Sequence, residues 1–402
     1  MIKILLIGTD INAYSMARSY HEIYNKKVDV IGYEAMRFTE NSKIMNFTYN
    51  SNLKNKKEFA NILIEYAKEN YNEKVLLVPC HDIYVRLVVE NREMLEPYYK
   101  FNCPSYEIVD SFLVKETFYK KYKNIGVDFP KTHFYSIKNK LNIPDDFRYP
   151  LILKPSNGIE YYKHPFSGQA KVYKTHDLQE TTAVINSIKN AGYKDNIIIQ
   201  ECIEGDDSTL FDCVFYCNSK GKAELATFAQ IGLQEHGPTA IGNCTVLING
   251  YNQFGNTDMI VNKLKKFLEG INYTGFAEFD LKYDLRDKEF KVLEINPRQA
   301  RSSYYLTATG NNMIKLLIDD LFYNKEKEFN IEKKELLLSM VPKKVILEQI
   351  KNKNYKSKAL ELLKKGKCVD SLTYSKDRSI KRFIYLILRK YNYIKKYRKF
   401  NW

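Results

Sequence analysis

The chain has 402 residues, 44% of them hydrophobic, which is enough to bury several cores; disorder is excluded and two or three globular domains are expected. Its net charge of +15 is unevenly spread: residues 331–402 hold 21 Lys and Arg against 6 Asp and Glu, whereas residues 1–330 hold 42 of each. The body is therefore electrically balanced, and the excess forms a separate basic module at the end.

In chain order, MIKILLIGTD carries an apolar run too short for a signal peptide or a bilayer span, so a cytoplasmic location is expected. KILLIG followed by TDINAYSMARSYHEIY reads as a buried strand, a tight turn and a helix, and VDVIGYE and VLLVPC continue the alternation of a parallel sheet. Residues 1–110 are read as an open α/β domain. The GTDINA turn lacks GxGxxG, which favours a structural turn over a dinucleotide site. Cys80, Cys103, Cys202, Cys213, Cys217, Cys244 and Cys368 form no CxxC and are read as reduced structural thiols, not a zinc site.

From Asp110 the pattern changes. DSFLVKETFYKKY reads as a helix capped by Asp110 or Ser111, then RYPLILKPSNG as a strand, HPFSGQ as a polar loop, AKVYKT as a strand, 178–191 as a helix and NIIIQECIEG as a strand. Residues 111–205 are thus a small α+β unit of antiparallel character. Residues 206–330 hold two hairpins, one turning at Asn218 to Gly221 and one near Arg286 and Asp287.

On the second hairpin, Glu278 and Asp280 share a face. In KVLEINPRQARSS, strict alternation puts Val292, Glu294, Asn296 and Arg298 on one face and Leu293, Ile295 and Pro297 on the other. Two carboxylates on paired strands with an amide beside one of them make a hard, oxygen-rich site of the kind that holds Mg²⁺ next to substrate phosphates. A solvated sheet face explains either strand alone. The pair together, with Arg298 and Arg301 following and lone lysines upstream, favours a site. Lys154 adds weight, because an ammonium on an otherwise apolar LILKP strand is costly to bury without an anion.

The order Lys115 on a helix, LILKP with Lys154, IIIQECIEG with Glu201, GFAEFDL with Glu278 and LEINPR with Glu294, Asn296 and Arg298 resembles the ATP-grasp superfamily over about residues 1–325. The resemblance implies an N-terminal open parallel-sheet domain (1–110), a central lobe (111–205), a C-terminal lobe with the metal site (206–330) and a basic helical extension (331–402). It implies that Lys115 and Lys154 contact the ATP phosphates and that Glu201 and Ile203 line the adenine slot. Asp207, or Asp206 in its place, would contact ribose. Glu278, Glu294 and Asn296 would hold Mg²⁺, with Mn²⁺ as a substitute and Asp280 as a supporting carboxylate, and Arg298 would steady the transferred phosphate. The loop SNGIEYYKHPFSGQ departs from the superfamily in having only Gly158 and Gly168, so Lys163, His164 and Ser167 are expected to close over the nucleotide in place of backbone N–H groups.

Such a site implies an ADP-forming carboxylate-amine ligase working through an acyl phosphate, in which positioning and charge stabilisation carry the catalysis. Within the superfamily, the LILKP to THDL segment, PCHDIYVRLVVENREML and the basic tail look most like bacterial D-aspartate ligases of peptidoglycan synthesis. The implied partners are D-aspartate and the lysine side chain of a UDP-linked muramyl pentapeptide. Arg298 and Arg301 would clamp the amino acid's second carboxylate. His81 and Asp82, at the end of the VLLVPC strand, would meet the acceptor or merely cap the next helix. Another amino-acid or dipeptide ligase is the alternative; a non-catalytic ATP-binding protein with a lipid- or nucleic-acid-binding tail is the alternative of another class. In the tail, Ile380, Ile384, Ile387, Tyr391 and Ile394 recur at helical spacing among Lys and Arg. This stripe reads equally as a helix docked on the body or as a peripheral contact with an anionic membrane, and nucleic acid ranks below both.

Overall fold

A computed structural model describes residues 2–123 and 125–400. IKILLI forms the central strand Ile2–Ile7 of a five-stranded parallel sheet; Val28–Gly32 and Met45–Tyr49 lie on one side, Lys74–Pro79 and Tyr99–Lys100 on the other. Asp10 caps the next helix, Ile11–Tyr24, by accepting from Ala13 N at 3.1 Å. The first ten residues of that helix are buried, polar ones included, because it is covered on both sides. Asn12 donates to the carbonyls of Cys80 (2.9 Å) and Gln299 (2.7 Å), stitching the parallel sheet to a distant part of the chain.

Thr132–Tyr135, Leu151–Pro155, Tyr173–Thr175 and Ile197–Glu201 form a four-stranded antiparallel sheet, as the alternation implies. The helix before it does not begin at Asp110. Ser105 caps Tyr106–Leu113, Asp110 lies within that helix and pairs with Arg86 at 3.0 Å, and a break at Val114 starts a second helix, Lys115–Lys121. The apolar run SFLV hides this break, since both helices bury aromatic residues in one core.

The largest sheet has nine strands. The hairpin Leu210–Cys217 with Ala223–Thr227 turns where expected, closed by Asn218 N to Lys222 O at 2.8 Å. The tail beyond residue 330 is not purely helical: Asn330–Glu332, Leu336–Ser339 and Cys368–Val369 all join this sheet. Leu336, Leu337 and Leu338 are buried as the sheet continues, so this part of the tail belongs to the body's core.

The last helix, Ile380–Lys399, is docked, but of the expected stripe only Ile394 packs on the body, and Ile380, Ile384, Ile387 and Tyr391 are exposed. Its inward side chains are Arg382, Tyr393 and Tyr397, each no more than 3% exposed. Arg382 pairs with the buried Asp377 at 3.1 Å and donates to the carbonyls of Phe38 and Leu372; Asp377 also accepts from Tyr14 Oη at 2.8 Å. A paired, hydrogen-bonded guanidinium and two tyrosine hydroxyls satisfied by Thr245, Gln234 and Glu235 can thus occupy an interface that hydropathy alone assigns to isoleucine. Among the described residues no helix is long and apolar enough to cross a membrane.

Candidate active site

The site is built on one antiparallel hairpin. Gly275–Asp284 and Glu289–Asn296 pair with Glu278 opposite Asn296 and Asp280 opposite Glu294. The register slips after Asp280, so that Leu281 faces Val292 and Leu293 is the extra residue. Val292 therefore points into the core with Leu281 and Ile295, not onto the face of Glu294, and strict alternation fails at this point. Leu293 is freed to line the cavity beside Glu294. The neighbouring strand places Asp212 beside Asp280.

Four carboxylates, Asp212, Glu278, Asp280 and Glu294, consequently crowd one half-sealed face. Burial, followed by the charge of Asp280 and Asp212, holds Glu278 well above the ordinary carboxyl range, although Arg298 opposes the shift. Burial and the charges of Glu294 and Asp212 push Asp280 up to about 8. Burial takes Asp212 to about 6 despite hydrogen bonds from Ser302 Oγ (2.5 Å) and Tyr305 Oη (2.9 Å). Glu294 goes the other way. Burial alone would raise it, but Lys115, then Lys171 and Lys154, hold it well below the usual value. Lys115 sits directly on the Glu294 carboxylate. Lys154 is pulled down to about 8 by burial first and by the neighbouring Lys115 and Lys171 cations second.

Of these groups, Asp280, Glu294, Lys115, Lys154 and Lys171 rim a cavity of about 530 Å³ between the four-stranded and nine-stranded sheets. Ile152, Ile203, Leu210, Phe211 and Leu293 give it an apolar wall, and Glu201 to Gly205 form the strip joining the two sheets. Five lysines face it: Lys115, Lys154, Lys171, Lys174 and Lys282. An apolar slot wide enough for a purine, continuous with a cluster of ammonium groups, suits a nucleoside triphosphate.

The expected residues distribute as follows. Lys115, Lys154, Glu201, Ile203 and Glu294 line the cavity; Glu278 and Asn296 lie behind its rim, joined by a 2.5 Å hydrogen bond from Asn296 Nδ2. The Glu201 carboxylate is engaged, accepting from Arg148 N at 3.2 Å and Arg286 Nη1 at 3.4 Å, and its backbone N–H donates to Lys131 O at 3.1 Å, so neither is open to a base. Asp207 is not brought to the cavity. Gln234 and His236 hold its carboxylate at 2.8–3.0 Å in an adjoining hollow of about 250 Å³, which it shares with Asp206. Lys163 and His164 pair with Glu160 at 2.8 and 3.2 Å and do not close over the cavity; Tyr162, Gly158 and Lys171 do so instead. The glycine-poor loop is stiffened by a short helix, Gly158–Tyr161, capped by Asn157, and by the buried Tyr161 hydroxyl bonded to Ala170 O at 3.0 Å.

Arg298 lies across the acid cluster, paired with Asp82 at 2.6 Å. Asp82 is thereby an anchor for Arg298 and not an open acceptor contact. His81 caps the helix Asp82–Glu90, its Nδ1 accepting from Ile83 N at 3.4 Å. Arg301, 3.4 Å from Glu235, faces a separate cavity of about 370 Å³ at the carboxyl end of the parallel sheet, with Asp10, His81, Lys54 and, from the last helix, Arg389. Asp212, Lys171, Lys174, Lys282 and Arg389 were not legible as site residues. Asp212 sits alone among apolar neighbours in LFDCV, the signal that singled out Lys154; Lys171, Lys174, Lys282 and Arg389 carry no such signal in a chain with 63 Lys and Arg.

Among the described residues no three His, Cys or carboxylate groups cage an ion by themselves. The donor set fits Mg²⁺ as a partner of phosphate oxygens, the usual arrangement for an ion that takes one or two carboxylates and completes its shell with substrate. The raised proton affinities of Glu278 and Asp280, caused by burial and by the neighbouring carboxylates, mark the charge such an ion would neutralise.

Two sheets closing on a lysine-rich, carboxylate-rimmed cavity behind an open α/β domain define an ATP-grasp enzyme, the class that uses ATP with Mg²⁺. Solved structures of this class share the fold. An L-amino acid ligase from Bacillus licheniformis has a TM-score of 0.58 at 15% identity, over 80% of this chain and 74% of that one. The biotin carboxylase domain of Hydrogenobacter thermophilus 2-oxoglutarate carboxylase, solved with Mg-ADP, has 0.61 at 14% identity, over 82% and 71%. No protein-family model matches the chain. Its sequence is 33% identical over 410 residues to D-aspartate ligase of Enterococcus faecium (strain Aus0004), covering 98% of this chain and 96% of that protein. The chain belongs to the D-aspartate ligase family: it is an ATP-dependent carboxylate-amine ligase that forms a carbon–nitrogen bond and releases ADP.

Proposed function

We propose that the carboxylate is the β-carboxyl of D-aspartate and the amine is the lysine ε-amine of a UDP-linked muramyl pentapeptide, in the cytoplasm, as a step of peptidoglycan synthesis. The observation that carries this reading is the extent of the likeness to D-aspartate ligase: it runs through 98% of the chain. It therefore includes the N-terminal sheet and the last helix, which together wall the second cavity around Arg301 and Arg389.

The reaction balances in two steps. A carboxylate oxygen attacks the γ-phosphorus, expelling ADP and leaving an acyl phosphate; the amine nitrogen then attacks the acyl carbon, expelling phosphate and losing a proton. In this reading Lys115, Lys154 and Lys171 receive the triphosphate. Lys115 exchanges Glu294 for phosphate as it does so, leaving Glu294, with Glu278 and Asn296, to hold Mg²⁺, or Mn²⁺ in its stead; the ion when bound neutralises phosphate charge. Asp280 supports that set. The backbone of Glu201 to Ile203 reads adenine. Asp207 reaches ribose only if its bonds to Gln234 and His236 open. Arg298 steadies the transferred phosphate, and Arg301, beside the second cavity, pairs with the amino acid's remaining carboxylate. The four units, 1–110, 111–205, 206–330 and 331–402, serve respectively the acceptor, the nucleotide, the metal and the closing wall.

The test is ADP release by the purified protein with Mg-ATP, crossing D- and L-amino acids with amine acceptors including the muramyl pentapeptide nucleotide. ADP formation that requires D-aspartate and the acceptor together supports the reading. Release of AMP and pyrophosphate would overturn the acyl-phosphate route, because adenylation attacks a different phosphorus.

A further inference from the structure

The last helix, Ile380–Lys399, has two faces, and only one is used by the fold. Arg382, Tyr393 and Tyr397 are buried against the body, yet Ile380, Phe383, Ile384, Ile387, Leu388 and Tyr391 are 53–79% exposed. Their spacing of three, one, three, one and three, with partners three and four apart throughout, gathers all six on one outward stripe. Because the helix is already docked through its other side, this stripe is no unfilled half of an intramolecular interface. A contiguous apolar stripe of this kind on a soluble body marks a contact surface.

Charge identifies what it contacts. The helix carries eight Lys and Arg and no Asp or Glu. Lys390, Lys396 and Arg398 are engaged by Asp370, Glu235 and Glu348. Lys376, Arg378 and Lys381 at one end of the stripe and Lys395 and Lys399 at the other are exposed and have no acidic partner among the described residues. Lys395 Nζ lies over the Tyr391 ring, 4.8 Å from its centre. Large apolar side chains in the middle, an aromatic ring near one end and unpaired ammonium groups at both ends are what a helix lying in a lipid interface needs. A second copy of this chain would bring two such cationic helices face to face, and a nucleic acid would leave the six apolar side chains without a partner.

We propose that this outward face binds an anionic membrane, so that the enzyme sits on the bilayer surface with its fold unchanged. The proposal concerns the tail alone and stands whichever amino acid the ligase uses.

The experiment is co-sedimentation of the full-length protein with vesicles of phosphatidylcholine, and of equal parts phosphatidylcholine and phosphatidylglycerol, at low and high salt. The mixed vesicles are expected to bind at least ~10-fold more tightly, and salt to weaken them. Phe383→Ser with Ile387→Ser is expected to lose at least ~10-fold in that binding, while melting temperature and ADP release stay unchanged. Lys381→Gln with Lys395→Gln, which spares the apolar stripe, is expected to lose the preference for the mixed vesicles. Wild-type protein that ignores mixed vesicles at low salt overturns the proposal, as does a serine variant that binds them normally. A wild-type dimer in velocity sedimentation that the serine variant dissolves would assign the stripe to a second copy instead.

Discussion

Arg298 and Asp82 meet across the junction between the nine-stranded and the parallel sheet, with Nε 2.6 Å from Oδ1 and Nη2 donating to Oδ2 at 3.1 Å. The guanidinium over the acid cluster is therefore aimed by a residue more than two hundred positions upstream. Asp82→Asn keeps the shape and removes the charge, leaving a largely buried cation short of its partner. A loss of about 3 kcal/mol in unfolding free energy is expected, with a fall in kcat that substrate saturation does not restore. Asp82→Asn combined with Arg298→Gln should recover part of the stability and none of the activity. Denaturant titration and steady-state kinetics check both.

Glu294→Gln removes the charge opposite Lys115 and should lower turnover by at least ~100-fold if that carboxylate holds the metal–phosphate assembly. The pair is about a quarter exposed, so the fold should persist, as judged by circular dichroism. Near-normal ADP release would return Glu294 to a purely structural partnership with Lys115.

Lys154 has no carboxylate within ion-pairing distance among the described residues, and its proton affinity is depressed by burial. Lys154→Met should consequently raise the melting temperature of the nucleotide-free protein while weakening ADP binding at least ~10-fold, since a buried cation is costly until its anion arrives. Calorimetric titration with ADP and a thermal melt decide it; a variant that is less stable and binds ADP normally would remove Lys154 from the phosphate site.

The acid cluster sets a pH dependence. Asp212, held at about 6, and Asp280, held at about 8, both keep their protons in the fold at pH values where an unfolded chain has lost them. The folded state then binds more protons, so these groups make stability fall as pH rises from about 4 to about 8. Asp280→Asn should flatten that fall in the metal-free protein, and Mg²⁺ with ADP should flatten it in the wild type. Melts from pH 5 to 8 test the sign.

Much of this site was legible because it rests on short-range rules. The hairpin, the face shared by Glu278 and Asp280, and the cost of Lys154 on LILKP all follow from a two-residue period and burial. What was lost depends on contacts the sequence does not order. The bulge at Leu293 moves Val292 to the other face without altering any residue type in the motif. Asp207 looks free until Gln234, at the end of another strand, and His236 just beyond it take its carboxylate. The tail stripe was visible, but which face docks was decided by Arg382 finding Asp377 and Tyr14, a partnership no periodicity encodes.

The position of Arg389 in the wall of the second cavity, and of Arg382 against Tyr14 and Phe38, has a consequence for synthesis. A chain leaving the ribosome exposes its N-terminal sheet first, but the side of that sheet's first helix that will meet Asp377 and Arg382 stays uncovered until residues 377–382 have been made. A stop between residues 340 and 377 would thus leave the nucleotide lysines in place while the second cavity lacks the wall that Arg389 supplies and Tyr14 lacks Asp377 and Arg382.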